Sequence, residues 1–195
     1  MSFADDFQIL NSEIDANGAN GDYGGVCVQF ATNVVIRNSS VSSNKAEGLL
    51  AVNFLEVDLI GSGGLGITES EHVLIDSCVL HANRAYHYGG GLFVTYSNDV
   101  TIRDSSLVNN SAHSGGGVNL YRNRIIRLSS VLLQGNAAER NGGGMLVDQV
   151  DSLAVTASSL RRNRAEAGFG SAMWILKSTA NITGNTFDDN AALLG

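Results

Sequence analysis

The sequence contains no proline and only two cysteines in 195 residues. The absence of proline excludes a proline-rich linker and a collagen-like chain, and two cysteines alone build neither a disulfide scaffold nor a zinc site. Charged residues make up 16% and hydrophobic residues 44%, which excludes an intrinsically disordered chain. No apolar run reaches the length of a membrane-spanning helix. A pI of 4.9 without a basic stretch argues against nucleic acid as a partner.

A repeat anchored by the motif Asn-x-Ala runs through the whole chain. Successive asparagines are separated by 27, 39, 27, 26, 27 and 27 residues, so one interval carries 12 extra residues. Apolar residues occupy the positions three, eight and ten residues before each asparagine. An internal repeat of this length is typical of a solenoid. The anchoring residues are Asn17, Asn44, Asn83, Asn110, Asn136, Asn163 and Asn190.

Each repeat contains three short strands and no helical pattern. A glycine cluster, with Ser171 as the exception, ends 19 residues before the asparagine and is followed by an apolar strand such as LFV or MLV. The apolar positions ten and eight residues before the asparagine alternate with polar ones, which is strand periodicity. Position six residues before the asparagine is small or turn-prone in most copies, as in Asn11, Asn38 and Ser77, and predicts a sharp bend with positive φ.

Strands with no helix between them can pair with their equivalents one repeat above and below, which predicts an all-β parallel β-helix. We expect about seven coils of 27 residues with three strands per coil, forming a single domain over residues 1–195. The asparagines then stack as a ladder at one corner, because asparagine tolerates the left-handed region and its amide can bond to the next coil. Ser12, Ser39, Ser105 and Ser158 stack near another corner.

The motifs GGGL, GGGV and GGGM, followed by LVNNSA or LRRNRA, resemble the pectin-lyase-like right-handed parallel β-helix superfamily. Within it they are most similar to repeats of the polymorphic outer-membrane-protein type, although only Phe187–Asn190 matches the FxxN signature literally. The resemblance covers the whole chain. It implies a right-handed solenoid and an extracellular or cell-surface role in adhesion or structure, while other members of the superfamily are polysaccharide lyases, hydrolases and epimerases.

In such enzymes the active site usually lies on the outer face of the first strand. Only one carboxylate, Asp148, falls at the positions predicted to face outward there. Phe93, Leu146 and Met173 predict an apolar patch on this face that another chain or further sequence covers, unless the inward and outward positions are shifted by one residue. Lyases and hydrolases need clustered carboxylates, so we expect no catalytic residues here, no cofactor and no metal.

The turn after the asparagine carries the most varied polar residues. Aromatic rings beside arginine and histidine can stack on sugars or contact a protein, and histidine can titrate. A solvated loop face without a ligand is the alternative. The candidate carbohydrate- or partner-binding residues are Arg84, Tyr86, His87, Tyr88 and His113.

The 12 extra residues form an insertion at about 48–60 that is rich in aliphatic residues. It could pack locally on the solenoid or contact a partner. Cys27 and Cys78 lie on different columns two coils apart, too far for a disulfide. We expect a buried Cys78 and a free thiol at Cys27.

The sequence therefore predicts a non-enzymatic structural or interaction β-helix of a surface, adhesive or filament-like assembly. The alternative is a carbohydrate-active enzyme, which would need Arg84, His87, Tyr88 and His113 to converge in one groove with an acid. Ice binding needs a regular threonine column, and Thr101, Thr156 and Thr183 are scattered. We expect protein partners at the solenoid ends or at the insertion, and a glycan is a further candidate. We expect no binding to nucleic acid and no membrane span.

Neither end of the repeat array has a capping helix or a polar terminal repeat, which solenoids normally have. We therefore expect a segment of a longer β-helix, or ends that are covered by other chains. Sedimentation and thermal unfolding check this expectation, and a well-behaved monomer with one sharp unfolding transition would contradict it.

Overall fold

The computed structural model describes residues 4–48 and 61–192, and these residues form a parallel β-helix. The chain winds through four parallel ladders in turn, which we call sheets 1 to 4, and every strand pairs with its equivalent in the next coil. We number the coils 1 to 7 by the asparagines from Asn17 to Asn190. The described residues contain no helix, hence none long and apolar enough to cross a bilayer.

Sheet 1 follows the glycine clusters and contains Val26–Gln29, Leu65–Thr68, Leu92–Thr95, Val118–Tyr121, Met145–Asp148 and Met173–Leu176. Sheet 2 contains Ala4–Asp5, Gln8–Leu10, Ala31–Thr32, Val35–Arg37, Glu71–Asp76, Asn98–Arg103, Ile125–Ser129, Ser152–Thr156 and Ala180–Thr183. Sheet 3 contains Glu13–Asp15, Ser40–Ser42, Val79–His81, Ser106–Val108, Leu132–Gln134, Ser159–Arg161 and Thr186–Asp188. Sheet 4 contains Gly18–Ala19, Lys45–Ala46, Arg84–Ala85, Ser111–Ala112, Ala137–Ala138, Arg164–Ala165 and Ala191–Ala192.

The three predicted strands per coil are confirmed as sheets 1, 2 and 3. Sheet 4 is an additional ladder, only two residues wide, that begins directly after each asparagine. These strands could not be recognised in the motif Asn-x-Ala, because a strand of two residues is too short to show alternating polar and apolar positions. Its alanines, such as Ala85 and Ala138, point inward and are buried, while Arg84 and Arg164 beside them are exposed.

Residues with positive φ form the corners between the sheets. The predicted bend six residues before each asparagine is confirmed, with φ of 48° at Asn11, 55° at Ser77 and 65° at Gly184. A second corner lies at the residue just before the asparagine, as at Ala82 with φ of 54°. The repeat asparagines therefore do not occupy the left-handed region themselves. The prediction that asparagine is used here because it tolerates that region is wrong.

The asparagine ladder is internal and continuous. Asn83 donates from its backbone N to Asn110 Oδ1 at 2.9 Å and from Nδ2 to the same oxygen at 3.1 Å. Its Nδ2 also donates to the carbonyl of Val41 at 2.8 Å. Both residues are fully buried. Each amide thus satisfies backbone groups that no strand reaches.

Two further ladders stabilise the other corners. In the predicted serine ladder, the backbone N of Cys78 donates to Ser105 Oγ at 3.0 Å. A ladder that sequence reasoning missed joins the end of sheet 1 to sheet 2, where the backbone N of Ser97 donates to Asn123 Oδ1 at 3.0 Å. The signal for it was present, since a serine or asparagine recurs there, as Ser70 and Ser178 also do.

The core is filled by equivalent aliphatic residues stacked in columns. In sheet 2 the inward column includes Ile36, Ile75 and Ile102, each at most 1% exposed. Sheets 1 and 3 add columns such as Leu92 with Val118 and Leu80 with Leu107. Glycine is required where the chain enters sheet 1, because a Cβ on Gly116 would lie 2.2 Å from the carbonyl oxygen of Ala137.

The last strand of sheet 1 lies one residue out of step with the repeat. Met145 pairs with Met173 and Leu146 with Trp174, a spacing of 28 residues rather than 27. The predicted outward position of Met173 is therefore wrong, because Met173 packs against the core, as Ile175 also does. Trp174 and Leu176 take the outward columns instead. The extra residue is absorbed in the turn, since Leu153 pairs with Ala180 at the usual spacing.

The insertion predicted at about 48–60 falls largely outside the described residues. The described chain resumes at Gly61, where φ is +87° and a Cβ would lie 2.2 Å from the carbonyl oxygen of Asp22. The array keeps its register across the interval, because Lys45 pairs with Arg84.

The outer face of sheet 2 carries an ion-pair cluster centred on Asp76. Asp76 Oδ2 accepts from Arg103 Nη2 at 2.8 Å and from Arg37 Nε at 3.1 Å, so one carboxylate joins three successive coils. Its side chain is only 10% exposed. The bond from Arg103 is the main cause that lowers the pKa of Asp76, and bonds from Ser77 and Arg37 add to it.

We predict that Asn110→Ala lowers the free energy of unfolding by about 3 kcal/mol or more, because it leaves several buried groups without partners at about 1–3 kcal/mol each. The orphaned groups include the backbone N of Asn83 and the carbonyl of Leu80. The control is Asn17→Ala in the exposed first coil, expected to cost less than about 1 kcal/mol. Urea unfolding measures both, and equal losses would contradict the prediction.

We predict that Asp76→Asn lowers stability at pH 7 by about 1–2 kcal/mol and makes it less sensitive to acid. A carboxylate whose folded pKa is lowered stabilises the fold above its unfolded value, near 3.9, and that contribution disappears as the pH falls through the folded pKa. The two proteins should therefore converge in stability once the pH has fallen below the folded pKa of Asp76. Thermal unfolding from pH 7 to pH 2 checks this, with exposed Asp188→Asn as the control. A stability difference that stays constant with pH would refute it.

Candidate functional site

The outer face of sheet 1 carries two columns of outward side chains. The first runs through Cys27, Gly66, Phe93, Asn119, Leu146 and Trp174, and the second through Gln29, Thr68, Thr95, Tyr121, Asp148 and Leu176. The turn before each strand folds back over the first column. A Cβ on Gly115, where φ is +66°, would lie 2.8 Å from Asn119 Cβ.

These overlying turns change what the face exposes. Phe93 is fully buried and Leu146 is 6% exposed, so the apolar patch predicted from Phe93, Leu146 and Met173 is not an open surface. The turns of the chain itself cover it. What remains open is a groove over coils 5 to 7, between the turns and the second column.

This groove, which we call the face groove, encloses about 240 Å³. The turns contribute one wall and sheet 1 contributes the floor. Its lining residues are Tyr88, His113, Ser114, Asn119, Tyr121, Arg140, Asn141, Leu146, Asp148, Trp174 and Leu176.

The floor combines aromatic rings with one carboxylate. Tyr121 and Asp148 are neighbours in the second column, and Trp174 stands beside Leu146 in the first. Phe169 supports Trp174 with ring centroids 6.1 Å apart. Asp148 Oδ1 is buried without a hydrogen-bond partner among the described residues. A buried acceptor without a partner carries a desolvation cost, which a donor that reaches it would offset.

The wall brings a phenol and a guanidinium to the same groove. Burial raises the pKa of Tyr88, with a further rise from Tyr121 and an opposing effect from Arg140. The Tyr88 hydroxyl therefore stays protonated at neutral pH and can act as a donor. An isolated β-bridge between Tyr88 and Ser114 holds this turn against the next.

The histidines at the rim have different surroundings. His113 Nδ1 lies 3.0 Å from Glu139 Oε2. His87 stacks on Tyr88 with ring centroids 6.3 Å apart. Burial, followed by the neighbouring His113, lowers the pKa of His87, whereas Asp22 raises it. His87 is therefore uncharged at neutral pH and supports the Tyr88 ring from behind.

The structure separates the five predicted site residues. Tyr88 and His113 line the face groove, and His87 contacts Tyr88. Tyr86 is 61% exposed, and its ring meets that of His87 in a T-shaped arrangement with centroids 4.7 Å apart. Arg84 lines a different depression on sheet 4, of about 210 Å³, with Ser111, Ala137, Glu139 and Arg164.

Sequence reasoning missed Trp174 as a lining residue. The one-residue shift in the last strand of sheet 1 placed Met173 in its column. A signal was available in the sequence. Ser171 replaces the glycine that precedes this strand in the other repeats, so the register of the strand AMWIL was not fixed. Asp148 was correctly predicted to face outward.

The two cysteines are free, as predicted, but they lie in adjacent coils rather than two coils apart, because Cys27 pairs with Gly66 of the coil that contains Cys78. Cys78 is buried, and its thiol donates to the carbonyl of Asp76 at 3.3 Å. Cys27 is exposed, and desolvation by the groups around it is the main cause that raises its pKa to about 11, opposed by a hydrogen bond with Tyr23. The Cys27 thiol is therefore protonated at neutral pH and is a weak nucleophile.

The face groove is poor in carboxylates among the residues that the structure describes. Asp148 is the single acidic side chain among its described lining residues, whereas glycoside hydrolysis uses two carboxylates. Over residues 4–48 and 61–192, no three His, Cys, Asp or Glu side chains group closely enough to hold a metal ion.

Comparison with known families agrees with this architecture. The family described as the right-handed beta helix region matches residues 1–130, about two thirds of the chain. The chain belongs to this family, and its parallel β-solenoid is accordingly right-handed, as the repeat motifs implied. A search of curated proteins gave no match.

Proposed function

We propose that this protein is a non-enzymatic interaction β-helix that binds a carbohydrate chain in the face groove, as part of a surface or filament-like assembly. The observation that supports this function is the convergence of Tyr88, Tyr121 and Trp174 with Arg140 and Asp148 in one groove. Sites of this kind pair apolar and aromatic lining with a few placed polar groups.

Each part of the groove matches a feature of a sugar ring. Trp174 and the tyrosines offer flat apolar surface to the carbon face of the ring. Asp148 offers an acceptor, and Arg140 offers donors, for hydroxyl groups. The groove crosses coils 5 to 7, about 10 Å along the solenoid axis, which suits a short oligosaccharide segment.

A second candidate function is hydrolysis or elimination of a polysaccharide in the same groove. The observation in its favour is the buried, unpartnered Oδ1 of Asp148, close to the Tyr88 wall. A carboxylate in that position could serve as a single general acid or base. The binding function is preferred because it uses the aromatic residues and Arg140 as well as Asp148, and needs no second catalytic group.

We predict that Trp174→Ala weakens binding of oligosaccharides at least about tenfold, because it removes the largest apolar surface of the groove. A glycan array identifies the ligand, and calorimetry on the full chain measures affinity. Tyr86→Ala is the matched control, since Tyr86 is an exposed aromatic residue outside the groove. Circular dichroism verifies that both variants fold.

Three results would contradict the proposed function: no glycan bound, an equal loss from Tyr86→Ala, or turnover of the bound glycan. Asp148→Asn separates the two candidate functions. In a binding protein it changes affinity only, whereas in an enzyme it abolishes product formation while oligosaccharide binding persists.

A further inference from the structure

One corner of the solenoid carries a charge pattern that none of the functions above uses. It lies between sheets 1 and 2 and has two outward columns. The corner column holds the positive-φ residues Glu69, Tyr96, Arg122, Gln149 and Lys177 in coils 3 to 7. The flank column beside it holds Asp5, Thr32, Glu71, Asn98, Arg124 and Asp151 in coils 1 to 6.

The charges change sign along this corner. Coil 3 presents Glu69 and Glu71, and coil 5 presents Arg122 and Arg124. All four side chains are exposed. Coil 4 lies between them and presents Tyr96, 48% exposed, with the uncharged Asn98. The acidic and basic pairs are thus equally spaced on either side of coil 4.

These four charged groups have no ionic partner among the described residues. Arg122 bonds instead to the Tyr96 hydroxyl at 2.7 Å and stacks on Tyr121 at 4.9 Å. Arg124 makes no ion pair there, although Asp151 follows it in the flank column. The basic pair opens onto a depression of about 420 Å³, whose lining also includes Tyr96, Asn98 and Gln149.

From this pattern we infer that the corner binds a second copy of this chain, with the two solenoids antiparallel and a two-fold axis at coil 4. The operation places Glu69 and Glu71 of each copy opposite Arg122 and Arg124 of the other. It also brings Asp5 of one copy to the end that carries Lys177 of the second copy. Such an interface is self-complementary, as two-fold symmetry requires.

The same two-fold symmetry explains what fills the depression beside Arg122 and Arg124 and what covers the exposed ring of Tyr96. The acidic side chains of the second copy extend into the cavity lined by Arg122 and Arg124. Tyr96 of one copy meets Tyr96 of the other at the axis, where an exposed aromatic residue is typical of an interface centre. A parallel arrangement in register would instead face acids with acids and arginines with arginines, which is unfavourable.

The expected affinity follows from the size of the corner. Seven coils about 4.8 Å apart and a width of about five residues give roughly 500 Å² per copy. A total near 1,000 Å² lies at the low end of specific interfaces. The dimer is therefore weak and reversible, and it dissociates with added salt because exposed charges carry much of its specificity.

Sedimentation of the full chain over a range of concentrations and salt tests this inference. Glu71→Arg and Arg124→Glu each place like charges across the interface, and each should weaken self-association at least about tenfold. An equimolar mixture of the two single variants should restore a dimer, since every facing pair then has opposite charges. The double variant, with both changes in one chain, should also dimerise.

Matched controls separate this effect from net charge and from misfolding. Glu13→Arg and Arg161→Glu make the same charge changes on sheet 3 and should leave self-association unchanged. Four results would overturn the inference: a monomer under all conditions, a dimer insensitive to both single variants, a mixture that stays monomeric, or equal effects of the sheet 3 controls. Because the mixture regains the dimer only if both variants are folded, recovery also excludes misfolding as the cause.

Discussion

Hydrogen bonding from one coil to the next is the interaction on which the rest of this structure depends. Each backbone group in a strand finds its partner about 27 residues away, so a residue's neighbours are set by its position in the repeat. Side chains with a donor and an acceptor extend this bonding around the corners, as Asn83 and Asn110 do. Proline would remove a donor from this network, which agrees with its absence from the sequence.

The fold could be predicted because the same constraint acts on every coil. The apolar columns, the glycine entry to sheet 1 and the bend at residues such as Ser77 are repeated, and a repeated pattern can be read without knowing its partners. The errors arose where a coil departs from the pattern. One additional residue before Trp174 exchanged the inward and outward positions of a strand, because side chains alternate with a period of two.

The face groove was harder to predict than the fold, since its shape depends on the path of the turns. The polarity of Tyr88 and His113 marked them as candidates, but their distance from Arg84 is set by the way each turn folds back at a positive-φ glycine such as Gly115. That fold-back buries Phe93 and leaves Trp174 accessible. A pattern of residue types carries no such information, because it does not specify which turn covers which strand.

The exact stacking of coils also gives the surface a fixed geometry. Outward side chains recur about every 4.8 Å along the axis and about every 6.6 Å along each strand. Each face is therefore a two-dimensional grid of positions, and the location of each position does not depend on the residue that occupies it. The interval from Asn44 to Asn83 is 12 residues longer than the others, yet Lys45 still pairs with Arg84. Turn length can therefore vary without moving the grid. In such a scaffold, single substitutions can change a recognition surface one position at a time while the backbone beneath it stays the same.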